Sequence, residues 1–400
     1  MTDDESSVWE SEKFRAVLAS TLVLPLGVAL VSPGLPVIRD SFAITDARTS
    51  LLITLYFLPG IFLSPIIGML ADRYGRRTVM LPSLVVFGLA GGVIVLVNDF
   101  TVLLAFRVVQ GAAAAGVFIL TVTFISDVFD GVDRNTALGI NSAVLFAGAA
   151  IFPLIGGILS TVDWHVPFLL YLVALPVAYF AFPRLGGPPV IQPKTGPEYL
   201  KGAAAALPPR EAASLYGAAF FLEAIAFGAI LTTVPFLLVR DFATTSAITG
   251  VILSAMMVVA GVVASMNGTL VTKRSNHRLV VLSFWCYGVG LFVAWAGTSI
   301  PIILAGVAIV GAGFGLVNPS VDAAIGRIAP AEYRAGALSI RNATTFLGRA
   351  TGPIAFTAIA IVTGYHGLLL ASAVGAFCIG IIGWSLTDGE PHVLDEPSPQ

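Results

Sequence analysis

The stretch Gly68-Met69-Leu70-Ala71-Asp72-Arg73-Tyr74-Gly75-Arg76-Arg77-Thr78 places four charges where two uncharged apolar runs, residues 49–71 and 78–97, meet. Each run has the roughly 20 residues that carry a helix across a hydrocarbon core of about 30 Å. Gly68 and Gly75 suit close packing and a tight turn. The stretch therefore reads as a short polar turn between two membrane helices.

Working outward, ten more apolar runs follow the same punctuation, which makes twelve: 16–38, 49–71, 78–97, 101–126, 136–160, 164–183, 213–239, 246–270, 279–297, 300–324, 336–362 and 366–386. In hydrocarbon every backbone group must be paired internally, and runs this long and continuous do not fit barrel strands of about ten residues. The composition agrees: 57% of the 400 residues are apolar and 11% charged, whereas soluble proteins hold about 25% charged residues. The fold class predicted is an all-α integral membrane protein with twelve transmembrane helices.

Several function classes fall away. Cys286 and Cys378 lie far apart in apolar runs, and the four histidines stand at or beyond run ends, so no disulfide framework, metal site or cofactor site is implied. A net charge of −2 leaves no footprint for nucleic acid, and no phosphate-binding Gly-x4-Gly-Lys-Ser/Thr loop supports ATP hydrolysis. No nucleophile or acid/base constellation suggests an enzyme. Residues 1–12 carry five acids and no base, unlike a signal peptide, so the first run reads as retained.

The connection 184–212, rich in Pro, Gly and Ala, divides the runs six and six. The expected organisation is an N-terminal bundle at 1–183, a cytoplasmic linker at 184–212, and a C-terminal bundle at 213–400 with an acidic tail. Fifteen of the 21 Lys and Arg residues fall on the terminal side of the runs and three on the other, which places both termini in the cytoplasm of a multi-pass cell-membrane protein. Residues 134–153 laid over 334–353 give nine identities in 20, including Arg134/Arg334, Phe146/Phe346, Gly148/Gly348 and Pro153/Pro353. The halves read as parallel repeats related by a pseudo-two-fold, with one path between them.

The opening stretch closely resembles the loop signature of the major facilitator superfamily, Gly-x3-Asp-Arg-x-Gly-Arg-Arg/Lys, through Gly68, Asp72, Arg73, Gly75, Arg76 and Arg77. Three further segments resemble the superfamily's twelve-helix drug:proton antiporter branch. They are Leu26-Gly27 with Pro33 and Pro36 in the first run; Arg107-x2-Gln110-Gly111 in the fourth; and Gly139, Gly148, Pro153, Gly156 and Gly157 in the fifth. Phe152 stands where that branch usually has Gly. The resemblance implies a major facilitator fold and proton-coupled efflux of small amphipathic or apolar molecules by alternating access, with small-molecule substrate, protons and the lipid bilayer as partners and a monomer as the working unit. It also implies that Asp127 pairs with Arg76 and Asp72 in a latch closed in the outward-facing state. Asp322 is taken as the second-half counterpart of Asp127.

A charge inside the bilayer costs about 2.5–3.5 kcal/mol on insertion scales, so each needs a reason. Four lie well within the runs: Arg107, Glu223, Arg341 and Arg349. Glu223 falls about 15 Å along its run and Arg349 about 20 Å along its own, levels at which they can pair. A lone carboxyl among Phe220, Phe221 and Phe227 suits a proton carrier; a structural lock with Arg349 is the competing reading, and the two are compatible. Arg107 has a part in the proton path by resemblance, or packs helices. Arg341 stands nearer the cytoplasmic end, where it can snorkel. Tyr56, Gln110, Asn141, Phe146, Phe227, Asn318 and Phe346 are candidates for the cavity wall. Three buried arginines against one buried acid keep uptake or exchange of an organic anion open as an alternative. A transport-dead sensor on the same fold is a minor one.

Overall fold

The computed structural model describes residues 11–185 and 197–387, apart from the side chains of Pro65, Asp72, Pro197, Leu386 and Thr387. Every element in it is helical. The membrane helices are α1 (Glu12–Ser41), α2 (Asp46–Tyr74), α3 (Arg76–Leu96), α4 (Phe100–Val128), α5 (Gly131–Ser160), α6 (Val166–Ala181), α7 (Pro209–Phe242), α8 (Ser246–Ser265), α9 (Asn276–Trp295) and α10 (Ile300–Ile328). A last continuous helix, Arg334–Thr387, is broken at Gly364, where φ is 69°, into α11 (334–363) and α12 (365–387).

Helix starts are written locally. The Thr45, Asp99, Thr245 and Ser275 side chains accept the backbone N–H three residues on, which satisfies one orphan donor of each first turn. At the turn that opened the sequence, α2 ends and α3 begins on Gly75 at φ +90°, a conformation that favours glycine. The starts of α2, α3 and α4 recur 200 residues later as those of α8, α9 and α10. The repeat thus extends well beyond the 20 residues that reveal it in the sequence.

Three runs depart from simple straight helices. Helix α1 is interrupted near Pro25 and tightens to a 3-10 turn at Ser32–Gly34, because Pro25, Pro33 and Pro36 cannot donate backbone hydrogen bonds. Helix α6 is a 3-10 segment, Val166–Val173, followed by Ala174–Ala181, and is shorter than its run. Helix α7 starts at Pro209, inside the segment expected as linker, and winds as a π-helix over Ala226–Thr233. The rest of that linker includes a short helix, Pro197–Ala205, whose Tyr199 donates to the Glu332 carbonyl at 2.9 Å and stacks on Tyr333.

The outside of the molecule is apolar, with Leu96, Tyr179, Ile361 and Val362 among its exposed side chains, as a bilayer requires. The basic residues gather on the face that holds the 74–76 turn, here called the basic face. The two halves meet along α5 with α8 and α2 with α11. The fifth-helix glycines explain one seam: a β-carbon at Gly157 would collide with the Ser246 carbonyl of α8, and one at Gly156 with the Leu30 carbonyl of α1. Phe152 packs beside them, against Gly148, without parting the helices. Gly311 and Gly315 of α10 likewise seat against α8, and Gly313 against α9. The seam is tied by Ser32 Oγ donating to the Leu231 carbonyl, by the Ser50–Thr357 hydroxyl pair at 3.1 Å, and by Tyr365 donating to Asp46. All three lie toward the face opposite the basic one.

Candidate functional site

Glu223 stands 14 residues into α7 and Arg349 15 residues into α11, each about 21–23 Å from the basic-face start of its helix. The two side chains form a bidentate pair: Arg349 Nε donates to Oε2 at 2.9 Å and Nη2 to Oε1 at 3.0 Å. Glu223 is 1% exposed and Arg349 17%. Two parallel charge-assisted bonds are the strongest way to hold such a pair in a dry setting. Small residues bring the helices together, since Gly348 and Gly352 of α11 lie against the α7 backbone at Phe220 and Ala224. The guanidinium rests 4.9 Å from the Phe227 ring centre and 5.6 Å from that of Phe57. Phe57 belongs to the other half, so this one arginine touches both.

Rings continue the site across the seam. Phe57 meets Phe227 at 5.0 Å and Phe346 at 6.1 Å, and Phe118 of α4 meets Phe346 at 5.8 Å. A carboxylate and a guanidinium thus stand in an aromatic wall to which both halves contribute, midway through the helical bundle.

Residues 17–215 and 216–400 each match the Major Facilitator Superfamily. The chain belongs to the major facilitator superfamily. It is 27% identical over 361 residues to the bacillibactin exporter of Bacillus subtilis (strain 168), which covers 86% of this chain and 89% of that protein. It is also 27% identical over 363 residues to the multi-drug resistance efflux pump PmrA of Streptococcus pneumoniae, covering 87% and 89%. Among solved structures it resembles the nucleoside transporter NupG, with a TM-score of 0.77 at 13% identity, over 94% of this chain and all of that one. Family and fold make it a multi-pass membrane transporter.

The other superfamily-like positions lie apart from this pair. Arg107 is fully buried inside the N-terminal half. It donates to the Leu52 carbonyl at 3.0 Å, the Gly27 carbonyl at 2.5 Å, Gln110 Oε1 at 2.6 Å and Tyr171 Oη at 3.3 Å, so its acceptors come from α1, α2, α4 and α6. Gln110 and Tyr56 belong to this internal knot: the Arg107 guanidinium lies 4.5 Å from the Tyr56 ring centre. Asn141 accepts from Thr21 at 2.5 Å and joins α5 to α1, and Phe146 packs on Gly261 of α8. Arg76 Nε donates to Asp127 Oδ2 at 2.8 Å, within the N-terminal half. The latch role expected for Asp72 rests on a side chain outside the described residues. Gly68 and Gly139 have open space around them.

Two expectations are corrected. Arg341 does not snorkel: it is 6% exposed and ion-pairs with Asp322 at 3.0 Å while donating to Asn318 Oδ1 at 2.5 Å. Nor is Asp322 the counterpart of Asp127. Since α4 and α10 run in register at an offset of 200, Asp322 matches Val122, and Asp127 matches Arg327. Asp322 therefore sits six residues inside the end of α10, deeper than its partner in name, at a level that sequence reasoning misplaced. Asn318 one turn earlier was the available signal. The pairing also halves the surplus of positive charge, because Arg341 and Arg349 each own an acid.

Proposed function

We propose that this chain is a proton-coupled exporter of small amphipathic or apolar organic molecules, with Glu223 as the proton carrier. The bidentate Glu223–Arg349 pair at the aromatic junction is the observation that carries this reading. Ionised, Glu223 holds Arg349; protonated, it offers only one donor and a weaker acceptor, and Arg349 is released toward Phe57 and the other half. One group thus links proton occupancy to the seam between the halves. The basic face is the cytoplasmic one, with both termini on it, and residues 1–183 and 213–400 are the moving halves. The seam bonds then close the outer side. The exporter and efflux names of the two relatives support the direction.

The test is transport by the full chain in proteoliposomes under an imposed pH gradient, with tetraphenylphosphonium, a neutral dye and an organic anion as probes. Glu223→Gln is expected to abolish gradient-driven movement while the protein still inserts; an unchanged pH dependence in that variant would falsify the assignment. A second reading, exchange of a small organic anion, draws on Arg349 being the more open partner of the pair. Acceleration of proton movement by the anion and not by the cation selects it.

A further inference from the structure

The short helix Pro197–Ala205 leads into α7 through residues 206–208 and packs on the start of α11. Tyr199 donates to the Glu332 carbonyl at 2.9 Å, and its ring stacks on Tyr333 with centres 5.7 Å apart. Ala203 is fully buried, and a β-carbon at Gly336 would stand 2.7 Å from that of Ala203. Within α7 itself, Tyr216 donates to the Ala337 carbonyl at 3.1 Å. A helix of nine residues is too short to persist alone in water, so this one is ordered by what it packs on. The internal repeat marks the arrangement as particular to one half. Tyr333 and Gly336 stand where the first half has Asp133 and Thr136, and Val132, in the place of Glu332, is 68% exposed. The turn that is covered belongs to the half that carries the Glu223–Arg349 pair.

Tyr216 lies about 10 Å along α7 from Glu223, and Ala337 about 18 Å along α11 from Arg349. Between those levels Arg341 ties α11 to Asp322 of α10, not to α7. Ionised, Glu223 joins α7 to α11 by two charge-assisted bonds. Once it takes a proton, that bidentate link is gone, and the contact depends on its glycines and on its ends. The pair re-forms only if both helices are still in place to within a fraction of an ångström. We propose that the linker helix and Tyr216 form a clamp that keeps α7 seated on α11 at the basic face while Glu223 is protonated, with Tyr199 and Tyr216 as positioning residues for the pair. The inference rests on the reading of Glu223 as proton carrier. The groups that face Glu223 are Arg349 on α11 and, at longer range, Tyr287 on α9 and Asp322 on α10. The clamp's own bonds run from phenols to backbone carbonyls, neither of which changes charge between mildly alkaline and mildly acidic pH. It therefore keeps its strength over the range in which the ion pair loses its own.

The test measures the α7–α11 contact in the full chain in lipid nanodiscs, with no transported probe. Spin labels go on the exposed positions Ser214→Cys of α7 and Ala335→Cys of α11, after Cys286 and Cys378 are replaced by alanine. Their dipolar broadening is expected to be the same at mildly alkaline and mildly acidic pH while the clamp is intact. In Tyr199→Ala with Tyr216→Phe, broadening is kept at alkaline pH and lost at acidic pH, reversibly. Gly336→Ala, which sets a methyl group against Ala203 and leaves both tyrosines, gives the same acid-dependent loss. Adding Glu223→Gln to either variant removes the broadening at both pH values. Broadening retained at acidic pH in both clamp variants overturns the proposal. So does its loss at both pH values with Glu223 intact, since the contact is then a support with no link to protonation. If acid parts the helices but Glu223→Gln leaves them joined at alkaline pH, the proton-carrier reading falls, and the clamp's tie to Glu223 falls with it.

Discussion

Arg107 shows how a buried charge can serve packing without an acid beside it. Its guanidinium spans acceptors from four helices, a geometry that needs several donors in a fixed plane. A lysine offers a compact ammonium and cannot reach them all, so Arg107→Lys is expected to destabilise the N-terminal half by about 2–4 kcal/mol. A thermal melt of purified protein in detergent measures this. A variant that melts normally yet shifts the pH profile of transport would instead place Arg107 in the proton path. At this scale the sequence is informative about depth, because charges are so few that counting along a run puts Glu223 and Arg349 on one level. It is poor on direction: nothing in Arg107-x2-Gln110 says that the side chain turns inward to carbonyls. Asp322 was misread because an acid near a run's end looks like surface, and only the helix register shows it to be deeper.

Helix α7 carries the element-scale consequence. Its π segment begins three residues past Glu223, and Thr232 and Thr233 donate to the carbonyls of Phe227 and Gly228, five residues back. A π turn is a costly winding that tends to mark functional positions. Here it turns the Leu231 carbonyl toward Ser32 of the other half and brings Gly228 against the Gly352 carbonyl of α11. Gly228→Ala would push a methyl group into that contact, at about 1–3 kcal/mol. Transport is expected to fall at least about tenfold if that strain is relieved by parting α7 from α11 and loosening the Glu223–Arg349 pair. Folding yield should change little; transport at the wild-type rate would show that the seam tolerates the extra carbon. The π segment was invisible in the sequence for a physical reason: its first six residues, 226–231, are apolar or glycine and its two threonines are adjacent, so no polar face reveals the local period. The break in α1 was more legible, since its prolines stand in plain view.

For the whole molecule, the repeat made the architecture readable. Starts 200 residues apart tie α2 to α8 and α4 to α10, so the two halves share one plan and differ in where they place charge. The N-terminal half spends its buried arginine on internal packing, while the C-terminal half holds both acid–arginine pairs. Those two pairs thereby lie in one half, and the other supplies rings and a sealing surface. That division predicts how the outer seal should yield. Tyr365 of α12 donates to Asp46 of α2, with Arg39 on the same carboxylate at 3.0 Å and Arg240 near the Tyr365 ring. A hydrogen bond to a charged group contributes about 1.5–3 kcal/mol, so Tyr365→Phe should shift the balance of closed to open outer faces roughly 10- to 150-fold. Spin labels at Asn98→Cys and Thr298→Cys, exposed positions related by the repeat, report the separation of the halves once Cys286 and Cys378 are replaced by alanine. Tyr365→Phe should move the label distances toward a longer population, and Asp46→Asn should do the same through the other end of the bond. If both distributions match that of the unsubstituted chain, the seal is held by the glycine seam of α5 and α8, and the hydrogen bond across it is incidental.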